Sequence, residues 1–153
     1  MRLTRAGEYA VRCMLCLARA GKGVAVSRQE VAAYGQIPDA FLAKIVQRLS
    51  RLGIIEIRQG AKGGYKLLLE PKDLTLLAVI EAMIGPIYLN DCVLRPESCH
   101  ASPGCSVNRV WTKANEGLRE TLRAANFAQL IAEEDCCLVP FPLASLPKEG
   151  SSV

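Results

Sequence analysis

The sequence predicts a mainly α-helical protein with a small β wing, built as a winged helix-turn-helix domain followed by a long C-terminal helix. Three patterns predict this class. A short helix, a tight turn and a longer helix follow one another within residues 27–53. A hairpin with a glycine-rich tip comes next. An amphipathic helical pattern over about two dozen positions begins at Val107.

Length and composition limit the possible classes. The 153 residues, half of them hydrophobic, fit one domain or a small domain with an extension. A net charge of +4 permits nucleic-acid binding without requiring it. The N-terminus lacks a signal-peptide pattern, and charges interrupt every apolar stretch before the ~20 residues of a membrane span. We therefore expect a cytoplasmic protein with no membrane contact, whose seven cysteines indicate metal or redox chemistry rather than disulfides.

The first helix is expected over residues 5–20, ended by the glycines at 21 and 23. Apolar residues lie on most of its sides, which predicts a largely buried helix. Its Cys13 and Cys16 form a C-x2-C pair. Within a buried helix, we interpret them as small core residues rather than metal ligands.

A helix-turn-helix follows. Ser27 and Glu30 form a capping box that opens a second helix running to about Tyr34. After a turn at residues 35–38, Asp39 is expected to cap, or nearly cap, a third helix over residues 40–52. The expected buried face of this helix is Leu42, Ile45, Val46, Leu49 and Leu52. Its exposed face carries Phe41, Lys44, Gln47, Arg48 and Arg51. Three cations with almost no acid suit the phosphate surface of DNA.

Apolar strands at residues 54–58 and 65–69 flank a glycine-rich tip and predict a β-hairpin, the wing of the domain. Lys62 lies at the tip, with Arg58 and Lys66 along the strands. A basic, glycine-rich tip can enter a minor groove of DNA. The other interpretation, a nucleotide-binding loop, is rejected because no helix begins directly after the glycines.

Two further helices are expected after the wing. The first covers residues 74–84. The second is long and amphipathic, with an apolar stripe of Val107, Val110, Trp111, Ala114, Leu118, Thr121, Leu122, Ala125 and Leu130. Such a helix has little in its own chain to pack on, so we expect its stripe to bury against a second copy of the chain. The periodicity ends after Asp135, and residues 136–153, with Cys136 and Cys137, are expected to form a mobile tail.

Between these helices lies a loop rich in proline, serine and glycine that contains Cys92, Cys99 and Cys105. Thiolates select zinc, copper(I) or an iron-sulfur cluster. Structural zinc usually takes four ligands in close pairs, whereas wider spacing suits a cluster. We therefore expect a [4Fe-4S] or [2Fe-2S] cluster, with a disulfide or unrelated free thiols as the alternative. His100 is poorly placed to bind the same centre as its neighbour Cys99.

Together these motifs resemble the IscR/NsrR/RirA family of bacterial winged-helix transcription regulators, from residue 1 to about 135. The N-terminus is similar at Met1, Arg2, Leu3, Thr4, Gly7, Tyr9 and Ala10. The recognition helix is similar at Leu42, Lys44, Gln47, Leu49 and Gly53, and the wing at Gly60, Gly63, Gly64 and Tyr65. Cys92, Cys99 and Cys105 fall where the family keeps three cluster-ligating cysteines.

The resemblance implies a homodimer that binds a pseudo-palindromic operator in double-stranded DNA according to the state of its cluster. Glu8 resembles the acidic ligand that some members donate from the partner subunit, and its alternative role is an ordinary exposed carboxylate that pairs with Arg12. Asn108 stands where some members have a histidine ligand. The recognition helix also departs from some members, since Ala40, Phe41 and Ala43 replace polar base readers. The residues assigned to DNA are Arg2, Thr4, Tyr9, Ser27, Phe41, Lys44, Arg48, Arg51, Arg58, Gln59, Lys62 and Tyr65.

These patterns divide the chain into a DNA-binding domain at residues 1–70, a linking helix and cysteine loop at 71–106, a dimerisation helix at 107–135 and a tail at 136–153. The leading hypothesis is a cluster-dependent repressor that senses iron or cluster supply, nitric oxide or redox state. A cluster-free regulator that uses a thiol switch or a protein partner is the alternative. An iron-sulfur redox protein is less favoured, because the chain lacks a cofactor fingerprint and an acid/base constellation. No enzymatic activity or catalytic residue is expected.

Overall fold

The computed structural model describes residues 4–133, leaving out the side chain of Pro103. Arg2, Cys136, Cys137 and the predicted tail therefore lie outside the described residues. The elements, in chain order, are α1 (Arg5–Ala20), β1 (Ala25–Val26), α2 (Arg28–Gly35), α3 (Asp39–Arg51), β2 (Ile55–Arg58), β3 (Gly64–Leu67), α4 (Leu76–Ile84), α5 (Asp91–Leu94), α6 (Ser106–Ala124) and α7 (Phe127–Ala132). Within this range, no helix is both long and apolar enough to span a bilayer.

The helix-turn-helix forms as the local signals predict. Ser27 Oγ accepts the Glu30 amide at 3.2 Å, while Glu30 Oε2 accepts the Ser27 amide at 2.8 Å, which completes the capping box of α2. The start of α3 differs from the prediction. Pro38 occupies the capping position without a side-chain hydrogen bond, and Asp39 is the first helical residue. Proline sets the entry conformation by its fixed φ instead.

One predicted core residue of α3 is wrong. Leu52 is 56% exposed, whereas the other four predicted core residues of this helix are buried. The helix ends at Arg51, and Leu52 departs from helical geometry in the turn before Gly53. Its side chain therefore no longer follows the buried face.

The wing belongs to a three-stranded antiparallel sheet in the order β1-β3-β2. Ile57 pairs with Tyr65 across the hairpin, and Tyr65 pairs with Val26 on the other side. A Cβ at Gly64 would lie 2.4 Å from the Val26 carbonyl oxygen, so glycine is required for β1 to approach β3. The sheet thereby fixes the wing to the segment that leads into α2.

Helix α1 runs through the centre of the core, which includes Cys13 and Cys16 in full burial. Burial raises the pKa of Cys13 far above its usual value and that of Cys16 to about 12. Both side chains are therefore neutral thiols at physiological pH. The interpretation of this pair as core residues is confirmed.

The expected single helix from Val107 to Leu130 is wrong. Helix α6 ends at Ala124, and Asn126 caps the short helix α7 by accepting the Gln129 amide at 2.9 Å. Phe127, the first residue of α7, is fully buried in the core against the rest of the chain. The chain therefore turns back onto its own domain after α6.

The two halves of the apolar stripe of α6 differ in burial. Leu118 and Leu122 pack against Leu77, Ile80 and Ile87 of the same chain, so α6 has an intramolecular partner that the sequence did not reveal. The N-terminal part of the stripe is open, since Val107 is 56%, Val110 66% and Trp111 39% exposed. The large apolar side chains of this part are therefore open to solvent in the single chain.

Candidate DNA-binding surface and cysteine loop

The exposed face of α3 carries the predicted DNA-contacting side chains. Its apolar residues anchor the helix in the core, which turns Phe41, Lys44, Arg48 and Arg51 outward. Because the α3 cations lie on the second helix of the helix-turn-helix, they occupy the element that enters a major groove in this motif. The arrangement can supply both phosphate and base-edge contacts.

Tyr9 and Thr4 of the N-terminal region have mainly structural contacts. The ring of Tyr9 packs edge-on against Phe41, and Thr4 Oγ1 caps α1 by accepting the Gly7 amide at 3.3 Å. The guanidinium of Arg12 lies 5.7 Å from the Tyr9 ring centroid. Tyr9 therefore supports the side of α3 where Phe41 is exposed.

Arg48 is partly engaged within its own chain. Its Nε donates a hydrogen bond of 2.5 Å to the Ala82 carbonyl oxygen on α4. A groove of about 700 Å³ runs beside this contact, and its lining includes Lys44, Arg51 and Glu81. Arg48, a predicted DNA contact, thus also joins the recognition helix to α4.

A second groove lies between the start of α2 and the wing. With a volume of about 470 Å³, it brings together three predicted DNA contacts, Ser27, Arg58 and Tyr65. Burial raises the pKa of Tyr65, with an opposing effect from Arg28. The N-terminus of α2 opens onto the groove and favours a phosphate through its amides and dipole. Gln59 and Lys62, both exposed, lie at the wing tip beside it.

Sequence reasoning missed Arg28 and Gln29, which line the same groove in the first turn of α2. Their position directly after Ser27, the N-cap residue of α2, indicated this location, because first-turn residues lie beside the amides that bind phosphate. Arg28 also pairs with Asp39 at 3.3 Å in an exposed ion pair, which is weak enough for a phosphate to replace.

Asn108 connects the two ends of the cysteine loop. Its backbone amide donates to Cys105 Sγ at 3.4 Å, and its side-chain Nδ2 donates to the Cys92 carbonyl oxygen at 3.1 Å. Cys105 is the N-cap residue of α6, and its side chain accepts this backbone amide as a helix cap. Cys99 is exposed at the end of the Pro96–Ser98 turn.

The loop residues fit an iron-sulfur cluster in their chemistry. They provide three soft thiol donors and the Ser102 hydroxyl, which is buried without a hydrogen-bond partner and can donate to sulfur. Within the described residues, no three or more His, Cys, Asp or Glu side chains are close enough to hold a metal ion. The three cysteines therefore do not converge in the single chain.

Glu8 lies apart from this loop. It forms an ion pair with Arg12 one turn later on α1. Both line an apolar pocket of about 470 Å³ whose wall includes Leu76, Leu118 and Leu122. None of the three loop cysteines lines this pocket. Glu8 therefore faces a site bounded by α1, α4 and α6 of its own chain.

Comparison with known proteins adds a family and a fold. The Rrf2 family, described as an iron-dependent transcriptional regulator, matches residues 3–133. The HTH-type transcriptional regulator NsrR of Shouchella clausii is 29% identical over 136 residues, covering 88% of this chain and 91% of that protein.

Two solved structures share the fold. CymR (YrzC), the global cysteine regulator of B. subtilis, matches with a TM-score of 0.74 and 22% identity over 88% of this chain and 99% of that chain. IscR of T. potens matches with a TM-score of 0.70 and 22% identity over 87% of this chain and 88% of that chain. These likenesses confirm the predicted mainly helical fold with a small antiparallel wing.

Proposed function

Because the chain belongs to the Rrf2 family of helix-turn-helix transcription regulators, which are not enzymes, we propose that it is a homodimeric, cytoplasmic repressor controlled by an iron-sulfur cluster. The proposed ligand is a pseudo-palindromic operator in double-stranded DNA. The observation that carries the DNA-binding role is the joint exposure of the α3 cations and the groove between α2 and the wing.

The two surfaces have complementary roles on DNA. Lys44 and Phe41 would read base edges, through a guanine and a thymine methyl group. Ser27, Arg58 and Lys62 would hold phosphates or reach a minor groove, which would fix the register without reading sequence. Two copies related by a two-fold axis would present two α3 helices to successive major grooves.

The proposed dimer follows from the divided stripe of α6. Its first half exposes Val110 and Trp111, while its second half contributes Leu118 and Leu122 to the wall of the apolar pocket. In an antiparallel pair of α6 helices, the open half of one copy would lie on the pocket side of the other. Both apolar surfaces would then be covered by one self-complementary contact.

This pairing would also explain how Glu8 could act as the fourth ligand. Glu8 lines the apolar pocket, and Cys105 directly precedes the open half of α6. A partner whose α6 covers the pocket would therefore bring its cysteine loop toward Glu8. Carboxylate is a hard ligand and labile beside thiolates, so this position would be the reactive one.

Cys92, Cys99 and Cys105 would hold the cluster, with Asn108 fixing the loop ends and Ser102 donating to a sulfur atom. When bound, the cluster supplies an iron-sulfur centre that reacts with nitric oxide or oxidants and depends on iron supply. Without it, the segment around Cys99, which is exposed in the single chain, would lose its attachment to the cluster. The change in the loop would alter the angle between the two DNA-reading domains, which links operator affinity to cluster state.

A cluster-free regulator is the second candidate. Two observations favour it: the three cysteines do not converge in the described chain, and the fold matches a cysteine regulator as well as it matches IscR. In that case exposed Cys99 would be the first thiol to react with an oxidant or a partner.

Anaerobic purification separates the two candidates. We expect a coloured protein with stoichiometric iron and sulfide, and a colourless Cys92→Ala variant that is otherwise folded. Cys13→Ala serves as the matched control, because Cys13 is buried away from the loop. A wild-type protein without iron that still binds its promoter specifically would support the cluster-free regulator instead.

A further inference from the structure

Helix α4 lies between the recognition helix and α6, and polar contacts join it to both. On one side, Arg48 of α3 donates to the Ala82 carbonyl oxygen at 2.5 Å. On the other side, the adjacent Glu81 forms an ion pair with Arg119 of α6. Glu81 is the one charged residue in the sequence of α4. Neighbouring positions on one helix thus contact both flanking helices.

The ion pair between Glu81 and Arg119 is bidentate. Both Nη atoms of Arg119 reach the carboxylate, and the Nη2–Oε2 distance is 3.3 Å. Glu81 Oε1 also accepts the Ile87 amide at 2.9 Å, while Arg119 Nη1 donates to the Ile87 carbonyl oxygen at 3.4 Å. The two side chains are only about a quarter exposed, at 24% and 26%. Such a fork restricts orientation more than a single hydrogen bond does.

Polar residues on the same face of α6 hold the chain from Ile87 to the cysteine loop. Asn115, which is buried, accepts the Leu89 amide through Oδ1 at 3.1 Å. Nearer the start of α6, Asn108 donates to the Cys92 carbonyl oxygen at 3.1 Å. Positions 108, 115 and 119 are separated by seven and four residues, so they share one helical face. This face fixes the segment between α4 and the loop in one register.

The apolar contact alone would not provide this register. Leu118 and Leu122 of α6 pack on Leu77 and Ile80 of α4, and contacts of this kind are non-directional. A half-buried ion pair contributes little net stability, because its desolvation offsets the attraction. Its main physical consequence here is a preferred alignment of α4 on α6.

We propose that Arg119 is a positioning residue that transmits the state of the cysteine loop to the recognition helix of the same chain. Arg119 of α6 binds Glu81 of α4. The residue after Glu81, Ala82, accepts a hydrogen bond from Arg48 of α3. A change at the loop moves α6 and the segment after α4 together, and α3 follows. This inference rests on the proposed function, since it assumes that the loop binds a cluster.

The test measures operator affinity in two states of one anaerobic preparation, with the cluster intact and after its removal. The variants are Arg119→Gln and Arg119→Lys, the second retaining the charge without the fork. Arg123→Gln is the matched control, because Arg123 is exposed one turn later on the same helix. Light scattering, the cluster spectrum and thermal unfolding are recorded for each protein.

We expect the ratio of the two dissociation constants to move toward one by about two- to thirty-fold in Arg119→Gln, the range for residues that modulate coupling. Arg119→Lys should lose part of the ratio, and Arg123→Gln none. Spectrum and oligomeric state should stay unchanged in all three. If both Arg119→Lys and Arg119→Gln are folded, contain the cluster and keep the wild-type ratio of dissociation constants, Arg119 does not have this role. A wild-type ratio of one would instead contradict the proposed function and this role with it.

Discussion

The ring of Tyr9 meets the ring of Phe41 at an interplanar angle of 69°, with 5.3 Å between the ring centroids. This contact joins the N-terminal part of α1 to the first turn of α3. Phe41 is still 39% exposed, so part of its ring is open to solvent although the ring packs on Tyr9. The orientation of Phe41, which we propose reads a base, therefore depends on a residue outside the helix-turn-helix.

Replacement of Tyr9 tests this support. Tyr9→Leu should reduce the preference for operator over random DNA by about two- to twelve-fold, the equivalent of one aromatic pair. Tyr9→Phe keeps the ring and should retain the preference. Fluorescence anisotropy at one fixed salt concentration measures both. A phenylalanine variant as impaired as the leucine variant would assign the effect to the hydroxyl group instead.

Alanine substitutions of Lys44 and Lys62 should affect DNA binding in different ways. Lys62→Ala, at the wing tip, should weaken operator and random DNA alike and lower the slope of log affinity against log salt by about 0.9, the loss of one phosphate contact. Lys44→Ala should selectively weaken operator binding, by about 1–3 kcal/mol if it contacts a guanine. Salt titrations with both DNA types provide the comparison. Full operator preference in Lys44→Ala would exclude its base-reading role.

The open half of α6 provides the cleanest test of dimerisation. Val110→Glu places a charge on a side chain that is 66% exposed in the single chain, so folding should be preserved while association is lost. Leu118→Glu is less selective, because Leu118 also packs on α4. Ala128→Glu on the exposed side of α7 is the control for added charge. Light scattering that shows a dimer of Val110→Glu at micromolar concentration would exclude this interface.

Asn108 should determine how firmly the cysteine loop is held. Asn108→Asp has the same size but loses the Nδ2 donor to the Cys92 carbonyl oxygen. We expect the cluster absorbance to decay several-fold faster in air, since the hydrogen bond by which Asn108 joins the loop ends is removed. Asn90→Asp, exposed before α5 without a side-chain cap contact, should decay at the wild-type rate. Equal lifetimes for both variants would remove Asn108 from the account of the loop.

The two core cysteines predict a pH effect on stability. Burial raises the pKa of Cys16 to about 12 from 9.0, and that of Cys13 further, so the folded protein retains both protons after the unfolded chain has lost them. Stability contributed by these thiols is therefore complete below pH 9 and falls above it, by up to about 1.4 kcal/mol per thiol per pH unit. Urea unfolding of wild type and Cys16→Ala between pH 8 and 11 should show a shallower decline in the variant.

The sequence predicted those parts of the fold that have local signals. The capping box at Ser27 and the glycines of the wing specify α2 and the hairpin without help from distant residues. Strand β1 has two residues and depends on its pairing with Tyr65, so periodicity could not reveal it. The break before α7 had a readable signal, the capping pair of Asn126 and Gln129, but the apolar period continued across it.

The candidate site was predictable in composition and less so in geometry. Residue types and spacing identified the α3 cations and the cysteine loop. Arg48 contacts Ala82, 34 positions away, and Arg119 contacts Glu81, 38 positions away. A local sequence pattern cannot predict contacts between residues so far apart. The proposed convergence of Glu8 with the cysteines depends on a second copy, and one chain cannot specify it alone.

Operator affinity before and after cluster removal tests the central proposal most directly. One anaerobic wild-type preparation is split, one half is stripped of iron with a chelator, and both are titrated with the same operator DNA beside Cys92→Ala. We predict that the intact half binds at least about five-fold more tightly or more weakly than the stripped half, the lower range of allosteric coupling. Cys92→Ala should match the stripped half. Equal affinities for all three proteins, with a cluster verified in the intact half, would contradict control of DNA binding by the cluster.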